Sequence, residues 1–240
     1  MKNKIKLSIV IPCYNEEKNI SQLKKEINSI LNKNNSIEVI LVDNGSSDKS
    51  NIILKKYVSP NRRLKLVTIK KNIGYGHGIV SGIKKSRGTI IAWVHSDLQI
   101  SMKDLIKAYI KNYKKLIEGK YIVKGTRKNR NYIDNLFTFL MSCVVNTFFN
   151  VSLRDINAQP KIFSSKFKNQ VLGNPPQDFS LDLFLLLKAI KHNYKIINFP
   201  VTLKKRRFEQ AKGGGTFWGK IKLTVRTFSY IFNLRFIKNY

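Results

Sequence analysis

Short apolar runs alternate with amphipathic stretches through the first half of the chain. Between Ile20 and Leu31, apolar side chains recur at helical spacing. Four runs rich in β-branched residues have the length of strands: Leu7–Ile11, Glu38–Val42, Leu64–Ile69 and Thr89–Val94. Strand–helix–strand alternation of this kind predicts an α/β domain with a mainly parallel twisted sheet and helices on both faces.

The second half contains a long uncharged segment at 135–153. Its polar residues form a stripe at three- and four-residue spacing: Asn135, Thr138, Ser142, Asn146 and Asn150. A membrane-spanning helix needs roughly 20 predominantly apolar residues. The segment has that length but is too polar, so we predict a buried or membrane-touching amphipathic helix.

The end of the chain has a basic amphipathic pattern. One helical face from residue 217 onward is apolar and the other is polar: Ile221, Val225, Phe228 and Ile231 against Lys222, Arg226, Ser229 and Asn233. Such a helix suits the headgroup layer of an anionic bilayer, and it equally suits a C-terminal helix packed on a domain. We therefore predict a main domain over 1–212 and a basic amphipathic helical segment over 213–240, for which a membrane surface is one of the two expected locations.

The chain is strongly basic, with 45 Lys and Arg against 14 Asp and Glu and a formal net charge of +31. Three explanations compete: biased amino-acid usage, binding of nucleic acid, and binding of an anionic lipid surface or phosphate-rich ligands. Biased usage alone does not account for so few acids. The charge is spread over the whole chain instead of clustering with aromatics on one element, which argues against nucleic acid.

The cysteine content and the start of the chain indicate the compartment. Cys13 and Cys143 are too few for a disulfide framework and fit a reducing environment. The apolar run after Met1 is too short for a secretory signal. We expect a protein that faces the cytoplasm.

Ligands of parallel α/β sheets bind at the carboxyl ends of strands, so the loops there hold the candidate functional residues. The first loop offers Pro12, Tyr14 and Glu16, with an aromatic ring for a nucleobase and a start for the next helix. The second begins with Asp43 and Asn44, an Asp-Asn-Gly turn sequence whose side chains can also contact a base. Taken singly, each loop is better explained as a helix cap or a turn.

Two further loops follow the third and fourth predicted strands. Residues 72–78 contain three glycines at two-residue spacing, which permits close backbone approach but is not the dinucleotide fingerprint. The last loop contains His95, Ser96, Asp97 and Gln99. A carboxylate there, with an imidazole and an amide nearby, can hold a hard cation that bridges a diphosphate. A cap or turn is the alternative.

Four motifs occur together along the first hundred residues: Ser-Ile-Val-Ile-Pro-Cys-Tyr-Asn-Glu-Glu (8–17), Val-Asp-Asn-Gly-Ser-Ser-Asp (42–48), Asn-Ile-Gly-Tyr-Gly (72–76) and Ser-Asp-Leu-Gln (96–99). In this order and spacing the chain resembles the family 2 inverting glycosyltransferases, whose GT-A fold is a Rossmann-like nucleotide-sugar-binding domain. The resemblance is strong over about residues 5–100. It continues more weakly to Lys212, where the chain is similar to polyprenyl-phosphate (dolichyl-phosphate) mannose or glucose synthases.

The resemblance implies a role for each matching residue. A nucleoside would lie against Pro12, Tyr14, Glu16, Val42, Asp43 and Asn44. Mg²⁺ or Mn²⁺ would be bound by Asp97 and Gln99, with His95 as a further candidate ligand. The diphosphate would be contacted by Ser96, Asp97, Arg127, Arg206 and Lys212.

The sequence departs from the family pattern in four places. Asn44 stands where the family usually has a second Asp, and His95 stands where the metal motif usually has its first Asp. The segment 135–153 lacks the second Arg of the synthase branch, and 155–161 does not spell that branch's Ser-Gly-Phe-Arg segment. These departures indicate a distinct subfamily and allow for a different acceptor.

The implied reaction is an in-line displacement at the anomeric carbon with inversion. Asp97 and Arg127 would act on the leaving diphosphate. A sugar hydroxyl acceptor would need a base, for which Asp155 and Asp178 are the candidates, whereas a lipid phosphate needs none. Asp178 is equally explained as the cap of a helix over 179–190.

The expected partners are a nucleotide-sugar donor, a polyprenyl phosphate or cell-envelope polysaccharide acceptor, and an anionic membrane surface. Three alternatives remain at this point. A sugar nucleotidyltransferase would show a basic Gly-rich loop after the first strand, and a nucleic-acid-binding protein would show clustered charge. A catalytically weak or inactive scaffold of the same fold is the third, because His95 weakens the metal motif.

Overall fold

The computed structural model describes residues 4–206 and 217–234. Within them, seven strands form one sheet in the order β3-β2-β1-β4-β6-β5-β7. The strands are β1 (Leu7–Cys13), β2 (Ile37–Asn44), β3 (Leu64–Ile69), β4 (Ile90–Trp93), β5 (Tyr121–Lys128), β6 (Lys161–Ser164) and β7 (Lys195–Thr202). All neighbours are parallel except β6, which is antiparallel to both β4 and β5. The predicted mainly parallel sheet is confirmed.

Helices cover both faces of this sheet, as predicted. They are α1 (Glu17–Leu31), α2 (Ser50–Val58), α3 (Tyr75–Lys85), α4 (Met102–Lys111), α5 (Tyr113–Glu118), α6 (Tyr132–Phe149), α7 (Lys168–Leu172), α8 (Leu181–Lys191) and α9 (Phe217–Phe232). Apolar side chains of α1, α2, α4 and α5 fill the core on one face. Those of α3, α6, α7, α8 and α9 fill the core on the other.

The bounds of the observed strands fix where the candidate loops begin. β3 has the predicted bounds, β4 is one residue shorter at each end, and β1 and β2 run on to Cys13 and Asn44. Parallel pairing sets Cys13 beside Asp43 and Pro12 beside Val42. The first two candidate loops therefore begin side by side, because their strands end in register.

Helix α6 turns part of its polar stripe toward the protein and many of its apolar side chains toward the outside. Ser142 is buried beside the buried Val145, and the Asn146 side chain hydrogen-bonds to both backbone groups of Leu153. Several apolar side chains face outward, and Phe139 is 63% exposed. Among the described residues, α6 is the one helix long and apolar enough to cross a membrane, with 11% of it buried. The expectation of a buried helix is wrong; contact with a membrane stays a prediction.

Helix α9 packs on α6 by a face that differs from the predicted one. Ile231 is buried as expected, but its buried companions are Thr227 and Leu234. Val225 and Phe228, predicted on the same face, are exposed. The division of the chain at 212 and 213 stays a prediction.

A buried carboxylate ties the strands together at the end of the sheet opposite the candidate loops. Glu38 of β2 accepts hydrogen bonds from Ser8 Oγ (2.7 Å) and from the backbone N and side chain of Arg87 (2.8–3.0 Å), and Lys65 Nζ lies 3.2 Å away. Burial alone would raise the pKa of Glu38, but the hydrogen bonds from Ser8 and Arg87 outweigh it and hold the pKa below its usual value.

We expect Glu38→Gln to lower the free energy of unfolding by about 1–3 kcal/mol at neutral pH, because a charged acceptor with several donors becomes a neutral amide. Urea denaturation followed by circular dichroism measures the change. Since the folded-state pKa is depressed, the contribution is present above the unfolded pKa and is lost as pH falls through the folded pKa. The difference from the unsubstituted protein should therefore shrink in acid. Glu118→Gln, on the exposed end of α5, is the control; equal effects of both variants would contradict this account.

Candidate active site

The loops after β1 and β2 are joined by hydrogen bonds at the carboxyl edge of the sheet. Asn15 N donates to Ser46 Oγ (3.0 Å) and Glu16 N donates to Ser50 Oγ (2.9 Å). The Glu16 carboxylate accepts a hydrogen bond from Asn19 Nδ2 and makes no hydrogen bond to the backbone of α1 as its N-cap residue. The predicted residues Pro12, Tyr14 and Glu16 are thus brought to one edge, each half-buried.

Asp43 and Asn44 lie at the end of β2 and are both buried. Asp43 Oδ1 accepts from Ser46 N (3.1 Å), which is the predicted turn. Asn44 Nδ2 donates to the carbonyl oxygen of Gly74 (3.0 Å), so the amide connects this turn to the glycine loop. A carboxylate at position 44 has no proton to donate there. The departure from Asp is therefore explained by the Gly74 carbonyl.

The side chain of Val42 is fully buried in the core beneath this turn. A methyl group on Gly82 of α3 would lie 2.9 Å from Val42 Cγ2, so α3 packs directly on it. The Val42 side chain points into the core, as an inward position of a strand does. A contact of this residue with a nucleoside would involve its backbone and stays a prediction.

The predicted diphosphate and metal residues meet after β4. Asp97 is buried, and its Oδ2 accepts from Arg206 Nη2 at 2.7 Å while its Oδ1 accepts from Gln99 N at 3.1 Å. Arg206 Nε donates to Gln99 Oε1 (3.0 Å). Ser96 Oγ donates to the carbonyl oxygen of Pro12 (2.9 Å), which ties this loop to the first one. Lys212, the other late basic residue, lies outside the described residues.

A second charged cluster forms at the end of β5. The Arg127 side chain and backbone N donate to the Asp155 carboxylate, and Arg130 Nη1 lies 3.8 Å from it. Burial would raise the pKa of Asp155, but the hydrogen bonds and charge of Arg127 outweigh it and lower the pKa. A carboxylate held in this way is a weak base, which makes Asp155 a poor candidate for deprotonating a hydroxyl.

Asp178 lies in the turn before α8, which begins at Leu181 instead of the predicted 179. Its Oδ1 accepts from Ser180 N (2.9 Å), and Ser180 is the N-cap position of the helix. The same turn contacts the glycine loop, since His77 N donates to the carbonyl oxygen of Gln177 (3.0 Å). The Ser180 side chain makes no hydrogen bond to the helix backbone, and Asp178 holds the turn before the helix; a role of Asp178 as base stays a prediction.

Sequence reasoning missed a polar chain beneath the site. Tyr75 Oη lies 2.7 Å from His95 Nε2, and Gln159 Nε2 donates to Tyr75 Oη (3.1 Å) and to Asp182 Oδ1 (3.0 Å). Lys161 Nζ donates to Asp182 Oδ1 at 2.6 Å, and neither side chain has appreciable exposure. The available signal in the sequence was one charged residue beside or inside apolar residues in each of two segments. Lys161 begins 161–163, and Asp182 lies within 181–187.

The polar chain ends at the predicted metal residues. His95 Nδ1 lies 3.9 Å from Asp97 Oδ2. Burial lowers the pKa of His95 below its usual value, although the charge of Asp97 opposes this. The imidazole therefore faces the site in its neutral form at neutral pH.

The described residues supply a sparse donor set for a metal ion. In residues 4–206 and 217–234, no group of three or more His, Cys, Asp and Glu side chains is placed to hold one. Asp97, with Gln99 next to it, fits a Mg²⁺ or Mn²⁺ ion that takes most of its ligands from a diphosphate and water. The residues do not fit a cation held by protein alone.

Comparisons with known proteins show the family of the chain. The model of Glycosyl transferase family 2 matches residues 8–167. The chain is 28% identical over 174 residues to a dodecaprenyl-phosphate galacturonate synthase of Rhizobium johnstonii, covering 70% of this chain and 50% of that protein. It is 26% identical over 209 residues to an undecaprenyl-phosphate 4-deoxy-4-formamido-L-arabinose transferase of Photorhabdus laumondii, covering 86% and 62%. The chain thus spans about half to two thirds of the length of these relatives.

Among solved structures, the fold is similar to glucosyl-3-phosphoglycerate synthase of Mycobacterium tuberculosis in complex with Mn²⁺, uridine diphosphate and glucosyl-3-phosphoglycerate. The TM-score is 0.69 at 16% identity, covering 96% of this chain and 80% of that one. At this identity the likeness concerns the fold alone, and it confirms the predicted GT-A arrangement.

We expect Asn44→Asp, which restores the usual family residue, to destabilise this protein. The carboxylate would face the Gly74 carbonyl without a proton to share, at a cost of about 1–3 kcal/mol. Thermal unfolding measures the loss, and Asn35→Asp, at an exposed position, controls for the added charge. Identical melting of the two variants would show that the Asn44–Gly74 bond contributes nothing.

Proposed function

From the premise that the chain belongs to glycosyl transferase family 2, we propose that it transfers a sugar from a UDP- or GDP-linked donor to a membrane-associated acceptor. The acceptor class is a polyprenyl phosphate or a cell-envelope polysaccharide intermediate. The observation that carries the proposal is the cluster of Asp97, Gln99 and Arg206 at the carboxyl end of β4. It combines a carboxylate, an amide and a guanidinium at the edge where ligands of such sheets bind.

The reaction is an in-line displacement with inversion at the anomeric carbon. An acceptor oxygen forms the new bond to that carbon, and the bond to the nucleoside diphosphate breaks with its electron pair going to the leaving phosphate oxygen. Arg206 retains donors beyond those used by Asp97 and Gln99. It can therefore bind a phosphate oxygen without releasing them, as can Arg127 beside Asp155. Such groups stabilise the charge that develops on the leaving group.

A divalent ion bound by Asp97 and the diphosphate would neutralise part of the same charge. Asp97 holds its orientation through Gln99 N and Arg206, which leaves further lone pairs on both oxygens. Gln99 and Arg206 thus hold the Asp97 carboxylate in position before a metal ion binds. The choice between Mg²⁺ and Mn²⁺ depends on the oxygens that the substrate brings.

A lipid phosphate is favoured over a hydroxyl acceptor. Asp155 is occupied by Arg127 and Arg130, and Asp178 accepts from a backbone N–H. A phosphate acceptor is already anionic and needs no base. The two relatives described above are both named for polyprenyl-phosphate substrates, which supports the same choice.

The outward-facing apolar side of α6 supports a peripheral position on the cytoplasmic face of a membrane. Phe139 and Leu140 are exposed there, and Phe228 and Phe232 of α9 are exposed as well. A cavity of about 360 Å³ lies between the two helices, lined by Phe148, Phe228, Ser229, Ile231, Phe232 and Asn233. Apolar side chains on a protein of net charge +31 match an anionic bilayer, which attracts basic proteins and accepts apolar groups.

A catalytically inactive scaffold is the competing function, because His95 replaces a carboxylate. Calorimetric titration with UDP and GDP, with and without Mn²⁺, tests the proposal. We expect one nucleotide to bind in a metal-dependent way, and Asp97→Asn to reduce its affinity by about tenfold or more, since the ion loses its carboxylate. Asp104→Asn, in the first turn of α4, is the control. Binding of neither nucleotide under any condition would contradict the proposed function and leave only the fold assignment.

Membrane association has its own test, by flotation with phosphatidylglycerol-containing vesicles. We expect Phe139→Glu to reduce the bound fraction severalfold, because it places a negative charge on the face that enters the anionic headgroup layer. Ile52→Glu is the matched control: Ile52 is 60% exposed and lies on α2, on the other side of the sheet. Equal losses for the two variants would indicate a charge effect without a docking face.

A further inference from the structure

One side of α6 is exposed along the whole length of the helix. Its side chains recur at three- and four-residue spacing, which places them on one helix face: Ile133, Leu136, Leu140, Cys143 and Thr147. None of them is charged. This exposed stripe therefore presents an uncharged and mainly apolar surface from the first turn of α6 to the last.

The other side of α6 is fixed to the rest of the domain. Val145 is fully buried in the core on this face of the sheet. The Asn146 side chain hydrogen-bonds to both backbone groups of Leu153, and Arg130 Nη1 donates to Thr138 Oγ1 at 2.6 Å. These contacts are spread along the helix, so the direction of the exposed stripe is set by the fold.

The connections of α6 decide how it can meet a membrane. The helix follows β5 and precedes β6, and these two strands pair directly, with Val123 opposite Ile162. A helix that crosses a bilayer has its ends on opposite sides, and α6 with 18 residues is about 27 Å long, close to the thickness of the hydrocarbon core. Hydrogen-bonded neighbours in one sheet lie on the same side. The fold therefore excludes a crossing by α6, although its length and composition suit one.

We propose that α6 lies flat in the headgroup layer of an anionic bilayer, with its axis parallel to the membrane and the whole exposed stripe at one depth. This inference rests on the proposed function, whose acceptor is membrane-associated, and it states how the site meets that membrane. A helix with one apolar and one polar side binds at the boundary between headgroups and acyl chains. The exposed bases Lys128 and Arg154 precede and follow the helix in the sequence, and anionic headgroups attract such bases.

The flat orientation brings one charged cluster of the site to the bilayer surface. Arg130 lies just before α6 and is bonded to it through Thr138. Arg130 Nη1 is 3.8 Å from Asp155 Oδ1, and the Asp155 carboxylate accepts hydrogen bonds from Arg127. These three charged side chains are thus held beside the exposed stripe, at headgroup depth. An acceptor lipid can then reach the carboxyl edge of the sheet without leaving the bilayer.

A second copy of the chain is the other occupant that could cover the exposed stripe. Each molecule carries a formal net charge of +31, and the stripe has no charged side chain that would offset the repulsion between copies. An anionic bilayer has the opposite sign of charge and accepts the same apolar side chains. The charge of the protein therefore favours the bilayer.

Depth-dependent fluorescence quenching tests the orientation in the full chain. Cys143 is exposed on the stripe and Cys13 is buried, so an environment-sensitive fluorophore can be attached at Cys143 alone. Ile133→Cys and Thr147→Cys, each combined with Cys143→Ser, place the same fluorophore near the two ends of α6. The labelled proteins are bound to vesicles of phosphatidylglycerol and phosphatidylcholine. Lipids that carry a nitroxide near the headgroup or deep in the acyl chain then report the depth of each position.

We expect the shallow nitroxide to quench all three probes more strongly than the deep one, with ratios that agree within about twofold, because a flat helix lies at one depth. A ratio that changes along the helix, or deep quenching at Cys143 alone, would show a helix that enters the hydrocarbon core and would overturn the proposal. Vesicle binding without quenching at any of the three positions, or no vesicle binding, would overturn it as well. Ile52→Cys combined with Cys143→Ser is the control and should not be quenched, since Ile52 is 60% exposed on α2, on the other side of the sheet.

The same probes report self-association. Emission that is already shifted to the blue without vesicles, and that returns to the red when the protein is diluted, would show a second copy on the exposed stripe and contradict the proposal. No nucleotide is present in this experiment. A failure of the glycosyltransferase chemistry appears in the titration with UDP and GDP instead, so the two failures are distinguishable. Circular dichroism checks that the variants fold.

Discussion

The arrangement of residues beneath the candidate site depends on one constraint, which is the burial of the Lys161 ammonium group. It is fully buried, and a buried charge is tolerated only where acceptors surround it. The chain supplies them by folding back, so that the carbonyl oxygens of Ile156 and Ala158 and the carboxylate of Asp182 point at one nitrogen. This folding places Gln159 beside Tyr75. The path of the loop and the polar chain beneath the site therefore have the same cause.

The reversed direction of β6 brings this lysine to the right edge of the sheet. Parallel strands gather their carboxyl ends at one edge, and an antiparallel strand brings its amino end there. Lys161 starts β6 and pairs with Trp93 on one side and with Lys124 on the other. Lys124 is also buried, and its Nζ donates to carbonyl oxygens. Burial lowers the pKa of both lysines, to about 7 for Lys124. Lys161 differs in having a carboxylate partner, Asp182, whose negative charge acts against that shift.

Local signals made the sheet and part of the site predictable. Apolar runs located four of the seven described strands, β1 to β4, and polar residues after them located Asp97 and Gln99, which Arg206 contacts. The strands β5, β6 and β7 were not predicted. The polar chain was not predictable, because its members come from four separate elements that only tertiary packing brings together. A lysine or aspartate inside an apolar run indicates a buried charge but does not name its partner. Periodicity likewise revealed the polar stripe of α6 without showing which side faces the protein.

The outward apolar side of α6 has a consequence for the protein in solution. Phe139 and Leu140 are exposed, and two copies can cover such apolar surfaces by packing against each other. Repulsion between molecules that each carry +31 opposes this association, and dissolved ions screen that repulsion. We therefore expect added salt to promote self-association of this protein. Self-association that appears only in concentrated salt is then not by itself evidence for a functional assembly.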